Sequence, residues 1–101
     1  MNDIFSLGDR KGSFIWDAEK ERLNIIKHGV DFRTAAQVFS DPDIRIRRDP
    51  EHSVSEERFF AIGRAEGRVL TVRFIYRHGL IRIFGAGYWR SGKVFYEGKK
   101  E

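Results

Sequence analysis

A chain of 101 residues with 41% hydrophobic content and nine Phe has the length of one domain and enough apolar bulk to fill a single core without cross-links. It has no cysteine and only three His in no ligand-spaced cluster, which excludes disulfides and thiolate chemistry and argues against a structural metal; no apolar run is long enough for a signal peptide or a membrane span. Nineteen Lys and Arg against fifteen Asp and Glu leave a formal charge of +4, which favours a polyanionic partner wherever the arginines converge.

Residues 1–12 carry mixed charge and two Gly without periodicity, and read as a flexible extension ahead of a single domain spanning 13–101. Phe14, Ile15 and Trp16 form a short strand. Asp17 offers a carboxylate to the free N–H groups of a helix over about 18–28, Glu19 suits its positive end, and Gly29 supplies the left-handed residue that closes it. Asp31 caps a second helix, with Val30 placed to pack on Ala35. Phe32, Ala35, Ala36 and Phe39 give that helix one apolar stripe until Ser40-Asp41-Pro42 stops it, so the two helices form a hairpin.

Ile44 and Ile46 alternate with Arg45 and Arg47, the period of a half-buried strand, and residues 49–57 form a polar loop. From Arg58 three strands are separated by Glu66-Gly67 and His78-Gly79, each a two-residue turn with Gly second. Turns of that length set a register: Phe59 with Phe74, Ala61 with Val72, Gly63 with Leu70, then Phe74 with Ile83 and Tyr76 with Ile81. These pairs share an apolar face, which the helices cover. The opposite face carries Arg58, Phe60, Ile62, Arg64, Thr71, Arg73, Ile75, Arg77, Arg82 and Phe84. Arg73 there falls between Phe60 and Phe84, and Ile75 between Arg58 and Arg82. Arginines interleaved with aromatics suit phosphates and bases, although their aliphatic stems also shield apolar neighbours.

Several short motifs occur in order along the chain: WDAEK from Trp16, Asn24-x-x-Lys27-His28-Gly29-Val30, Phe32-x-x-Ala35 followed by VFSDP, Glu56-Glu57-Arg58 before a strand, and AIGR from Ala61. With them the chain resembles the BrnT family of bacterial toxins from about Phe14 to Ala86. The resemblance implies an α+β, RelE-like fold, with two N-terminal helices packed on one face of an antiparallel sheet of four to five strands. It implies cleavage of RNA and neutralisation by a BrnA-type antitoxin, through which alone operator DNA is contacted. No cofactor and no membrane are expected, and the location expected is cytoplasmic. Where many members carry a Ser-Ala-Arg element at the end of the last strand and then a helix opened by a Glu-Arg pair and closing on Tyr, this chain has Gly85-Ala86-Gly87, with Lys93 and Tyr96 near the places of the Glu and the Tyr. Arg82 and Arg90 are the candidates to replace the missing arginine.

Cleaving RNA without a metal requires a base for the ribose 2′-OH, positive charge for the phosphoryl oxygens and a proton for the leaving oxygen. Lys20, Asn24, Lys27 and His28 share one side of the first helix, away from Leu23 and Ile26, and the last-turn position favours cations. The KHG element being a family signature, His28 is the acid–base candidate and Lys27 a phosphate contact. Glu57 orients an arginine or accepts the 2′-OH proton. Arg58 and Arg64 stabilise the transition state. Arg73, Arg77 and Arg82 hold phosphates, and Phe60 and Phe84 stack on bases. His52 in its loop and His78 in its turn read as surface residues, Trp16 as core, and Tyr88 and Trp89 as anchors of the C-terminal segment or as stacking surfaces. The rival reading is a non-catalytic basic module that holds a protein partner or nucleic acid.

Overall fold

The computed structural model describes residues 2–6, as backbone, and residues 13–98. Six strands form one mixed sheet in the order β1-β2-β6-β5-β4-β3: β1 (Asn2–Ser6), β2 (Ser13–Asp17), β3 (Arg45–Arg48), β4 (Phe59–Ala65), β5 (Arg68–Arg77) and β6 (Leu80–Gly87). Three helices accompany it: α1 (Ala18–His28), α2 (Phe32–Ala36), which tightens into a 3-10 turn over Gln37–Ser40, and α3 (Arg90–Glu97). The sheet is not purely antiparallel as expected, because β2 runs parallel to β6 through Phe14–Ile81 and Ile15–Arg82. Within the stretch read as an extension, Asn2–Ser6 pair antiparallel with β2; the rest of that stretch lies outside the described residues.

The β4-β5-β6 meander has the register read from its turns. Phe59 pairs with Phe74, Ala61 with Val72, Gly63 with Leu70, Phe74 with Ile83 and Tyr76 with Ile81. Glu66-Gly67 and His78-Gly79 all have positive φ, between 51° and 78°, the geometry of the hairpin turn whose twist matches the strands. One difference arises beyond Phe74. A bulge shifts the pairing so that Arg73 faces Gly85 rather than Phe84, Val72 faces Ala86 and Thr71 faces Gly87. Without it Ala86 would point away from the core; with it Ala86 is fully buried.

Phe14, Trp16, Phe32, Ala35, Val38, Leu70, Val72, Phe74 and Ile83 form the main core, between the sheet and α2 with its 3-10 extension. Asp31 caps α2 as read, accepting from the Thr34 N–H at 2.7 Å, and Gly29 closes α1 at φ 70°. Asp17 occupies the cap position of α1, but its side chain makes no cap hydrogen bond. The facing of α1 also departs from the reading. Its one buried residue is Asn24, whereas Leu23, Ile25 and Ile26 are exposed, Ile26 at 67%. Asn24 therefore does not belong to an outward polar side with Lys20, Lys27 and His28.

α3, at the place where the family resemblance implies a helix closing on Tyr96, lies on the other face of the sheet and covers its β4-β5 end. Ile62, Val69 and Tyr96 form a second small core there, flanked by Phe60 and Phe95. Gly92 makes the close approach possible, since a Cβ at that position would collide with the Thr71 hydroxyl.

Candidate nucleic-acid interface

The face opposite the main core is built by register. Arg47 pairs with Phe60, Phe60 with Arg73 and Arg73 with Gly85, so one row across four strands reads Arg, Phe, Arg, Gly. The next row, Arg45, Ile62, Thr71 and Gly87, lies toward α3. Between them opens a groove of about 410 Å³ whose lining includes Arg47, His52, Phe60, Thr71, Arg73 and Trp89, with Ser91, Gly92 and Phe95 of the α3 segment. That volume falls within the range of roughly 300–1,000 Å³ common to small-ligand sites. The two arginines stand on either side of Phe60 in the row, and the aromatic rings give the walls apolar surface.

Cation–π contacts organise the guanidinium groups. Arg47 and Arg45 lie 4.8 and 4.2 Å from the Phe95 ring centroid, and Arg58 and Arg73 flank Phe84 at 4.9 and 5.2 Å. A basic and aromatic strip thus runs from the groove across Phe84 to Arg58 and Arg82, the latter paired with Ile75. Arg77 and Arg58 approach the Glu56 carboxylate at 3.5 and 3.9 Å. Of the residues singled out from sequence, Phe60 and Arg73 line the groove, and Phe84, Arg58, Arg77 and Arg82 continue the strip. Glu57 is an exposed partner of Arg48 at 3.0 Å and does not line the groove.

Arg64 belongs elsewhere. Its guanidinium lies 5.5 Å from the Tyr96 ring, and with Arg68, Tyr88 and Lys93 it lines a separate depression of about 300 Å³. Beside it the Asp41 carboxylate accepts from the Tyr96 hydroxyl at 2.6 Å, the Arg64 N–H at 2.7 Å and the Asp43 N–H at 2.8 Å. Partial burial pushes the Asp41 carboxyl upward, but these donors and the Arg64 charge outweigh it and hold it below the ordinary carboxylate value. Burial, and then the bond to Asp41, push the Tyr96 hydroxyl up to about 12.

His28 and Lys27 are exposed at the end of α1, outside the groove lining. The His28 ring stands edge-on to the Trp89 indole, centroids 5.2 Å apart, and Trp89 itself lines the groove. Trp89 packs on its own chain, as one of the two roles read from sequence requires, and gives the groove an aromatic wall. It also explains Gly87, because a Cβ there would come within 2.7 Å of the indole.

His52 is a surface residue, as read from sequence, but it also lines the groove. It sits on the 3-10 turn Pro50–His52, and its Nδ1 is 2.8 Å from the Asp49 carboxylate, whose side chain is only 8% exposed. The loop is held by main-chain bonds from Asp49 N–H to Arg58 C=O at 2.8 Å and from Arg58 N–H to Ser53 Oγ at 2.9 Å. Asp49, Glu51 and His52 bring ligand-type atoms within 4.8 Å of one another, with Glu51 and His52 exposed. The only sequence signal was Asp three residues before His in a turn, too common a pattern to single out.

Among the described residues no helix is long and apolar enough to cross a membrane. No curated protein matches the chain. A family model described as "Ribonuclease toxin, BrnT, of type II toxin-antitoxin system" matches residues 16–92, a span that holds every groove residue named above except Phe95. On that match, covering most of its length and the basic groove at its centre, the chain belongs to the BrnT family of ribonuclease toxins, whose type II systems pair toxin with a protein antitoxin.

Proposed function

We propose that the chain is a metal-independent endoribonuclease of RelE type that binds single-stranded or messenger RNA in the groove beside α3 and along the Phe84 strip. The observation that carries this reading is the row Arg47, Phe60, Arg73, lying open beneath the start of a helix. Trp89 precedes α3 without a side-chain cap, and Ser91 and Gly92 of its first turn line the groove. Uncapped first-turn N–H groups and the helix dipole favour an anion. A phosphate at this point would meet two guanidinium groups and a helix N-terminus. Bases on either side would meet Phe60, Trp89 and Phe95, or Phe84 further along the strip.

Such preorganised positive charge stabilises the phosphoryl oxygens as charge gathers on them, the largest contribution in many active sites. Attack by the 2′-oxygen on the adjacent phosphorus then leaves a 2′,3′-cyclic phosphate and a 5′-hydroxyl. Lys27 and His28, across the Trp89 ring, contact phosphates leaving the groove. A BrnA-type antitoxin neutralises the toxin and alone brings the complex to operator DNA.

Purified chain incubated with single-stranded RNA in EDTA is expected to produce fragments with 5′-hydroxyl ends. Arg73→Ala, with its fold checked by circular dichroism, is expected to lower the rate at least tenfold. Absence of cleavage by the unaltered chain, or an unchanged rate in R73A, would reject the reading.

A further inference from the structure

We infer that His52, held by Asp49, is the general base of the groove; this rests on the ribonuclease reading above. Three observations converge. The His52 ring lines the same groove as Arg47 and Arg73. Its Nδ1 is engaged at 2.8 Å by a carboxylate that is 8% exposed. The loop carrying both residues is tied to the strand that supplies Phe60, through Asp49 N–H to Arg58 C=O at 2.8 Å. An ionised carboxylate only accepts, so the ring proton sits on Nδ1 and Nε2 keeps its lone pair for the groove. A buried carboxylate that selects a tautomer and fixes the ring is the arrangement that makes an imidazole an effective base.

In the step, neutral His52 takes the ribose 2′-OH proton on Nε2 while the 2′-oxygen forms a bond to the adjacent phosphorus. The P–O5′ bond breaks, the departing 5′-oxygen takes a proton from water at the groove mouth, and the imidazolium returns its proton to solvent. Charge is conserved, and no oxidant or metal enters. Asp49 touches no reacting atom and is a positioning residue. The charged groups nearest this pair are Glu51 on its own turn and Arg47 and Arg48 on β3, which line the adjoining depression with it.

The test uses full-length chain and a short single-stranded RNA under single-turnover conditions in EDTA. His52→Ala and His52→Gln are expected to lose at least 100-fold in cleavage rate with RNA affinity within threefold of the unaltered chain. Added imidazole is expected to restore part of the H52A rate. In a parallel steady-state assay Asp49→Asn is expected to lower kcat about tenfold with KM unchanged, since the amide keeps the loop's shape but not the carboxylate's preference for one tautomer. A rate within threefold in H52Q, or a loss in H52A matched by an equal loss of affinity, would overturn the assignment. So would activity that vanishes in EDTA and returns with a divalent ion, because Asp49, Glu51 and His52 would then be acting as ligands. Loss of cleavage in R73A beside full activity in H52Q would sink this inference alone; an inactive unaltered chain would sink the ribonuclease reading with it.

Discussion

Asn24 takes the place of a strand that has already ended. β2 pairs with β6 only at Phe14–Ile81 and Ile15–Arg82, so further along β6 the edge would be left open. There the Asn24 amide donates to Ala86 C=O at 2.9 Å and Val30 C=O at 3.0 Å and accepts from Ala86 N–H at 3.2 Å, as a peptide group of a neighbouring strand would. Asn24→Ala leaves three buried main-chain groups unpaired and is expected to lower the unfolding free energy by about 2–4 kcal/mol, read from the urea midpoint. Asn24→Asp is expected to cost a comparable amount, because a carboxylate would face two carbonyls. An unchanged midpoint in both would show that the pairing carries no stability. This residue was not legible in sequence: helical periodicity separates apolar from polar positions, and on α1 that division runs opposite to burial, with Leu23 and Ile26 outside and Asn24 inside. His52 is exposed as read, but a loop has no periodicity from which to tell that it lies beside the groove.

α3 is fastened at both ends of its short length. Near its start Gly92 lets the backbone settle on Thr71, and near its end the Tyr96 hydroxyl donates to Asp41 at 2.6 Å. The raised Tyr96 value means that the folded state holds this proton more tightly than the unfolded chain. The associated stability is fully present below pH 10 and is lost as pH rises from 10 toward about 12. For Asp41, lowered from 3.8, the sign reverses: its contribution is present above the ordinary value and is lost as pH falls through the depressed one. Tyr96→Phe is expected to cost about 1–2 kcal/mol near neutral pH and to flatten the alkaline limb of a stability-against-pH curve, measured by thermal melting. An unaltered alkaline limb would count against the latch. Among elements, the meander was the most legible, because two Gly turns of fixed length leave one register that gathers its inward apolar pairs on a single face. The bulge between Arg73 and Phe74, which leaves Phe84 as the extra residue of β6, was not, because it answers to the contact between Ala86 and Asn24, far apart in sequence. α3 was legible only through the family resemblance, because its short Gly-containing run has Trp89 rather than a capping residue at its N-cap.

At the scale of the whole molecule, the net charge of +4 matters through its distribution rather than its size. One face gathers Arg47, Arg73, Arg58 and Arg82 around Phe60 and Phe84, whereas Glu57 and Arg48 neutralise each other at the rim. RNA binding is therefore expected to weaken steeply with salt, and Arg73→Ala to reduce the slope of log affinity against log salt by about 0.7, the value for one phosphate on a single strand. An equal slope in the variant would mean that Arg73 meets no phosphate. The alternation that revealed this face could not show that α3 roofs one end of it, so the groove, narrower than an open sheet, emerges only in three dimensions. Trp89 lies where any side chain at position 87 would have to go. The two positions are therefore coupled: a side chain introduced at 87 alone displaces the indole, and only a paired exchange with a smaller residue at 89 makes room for it.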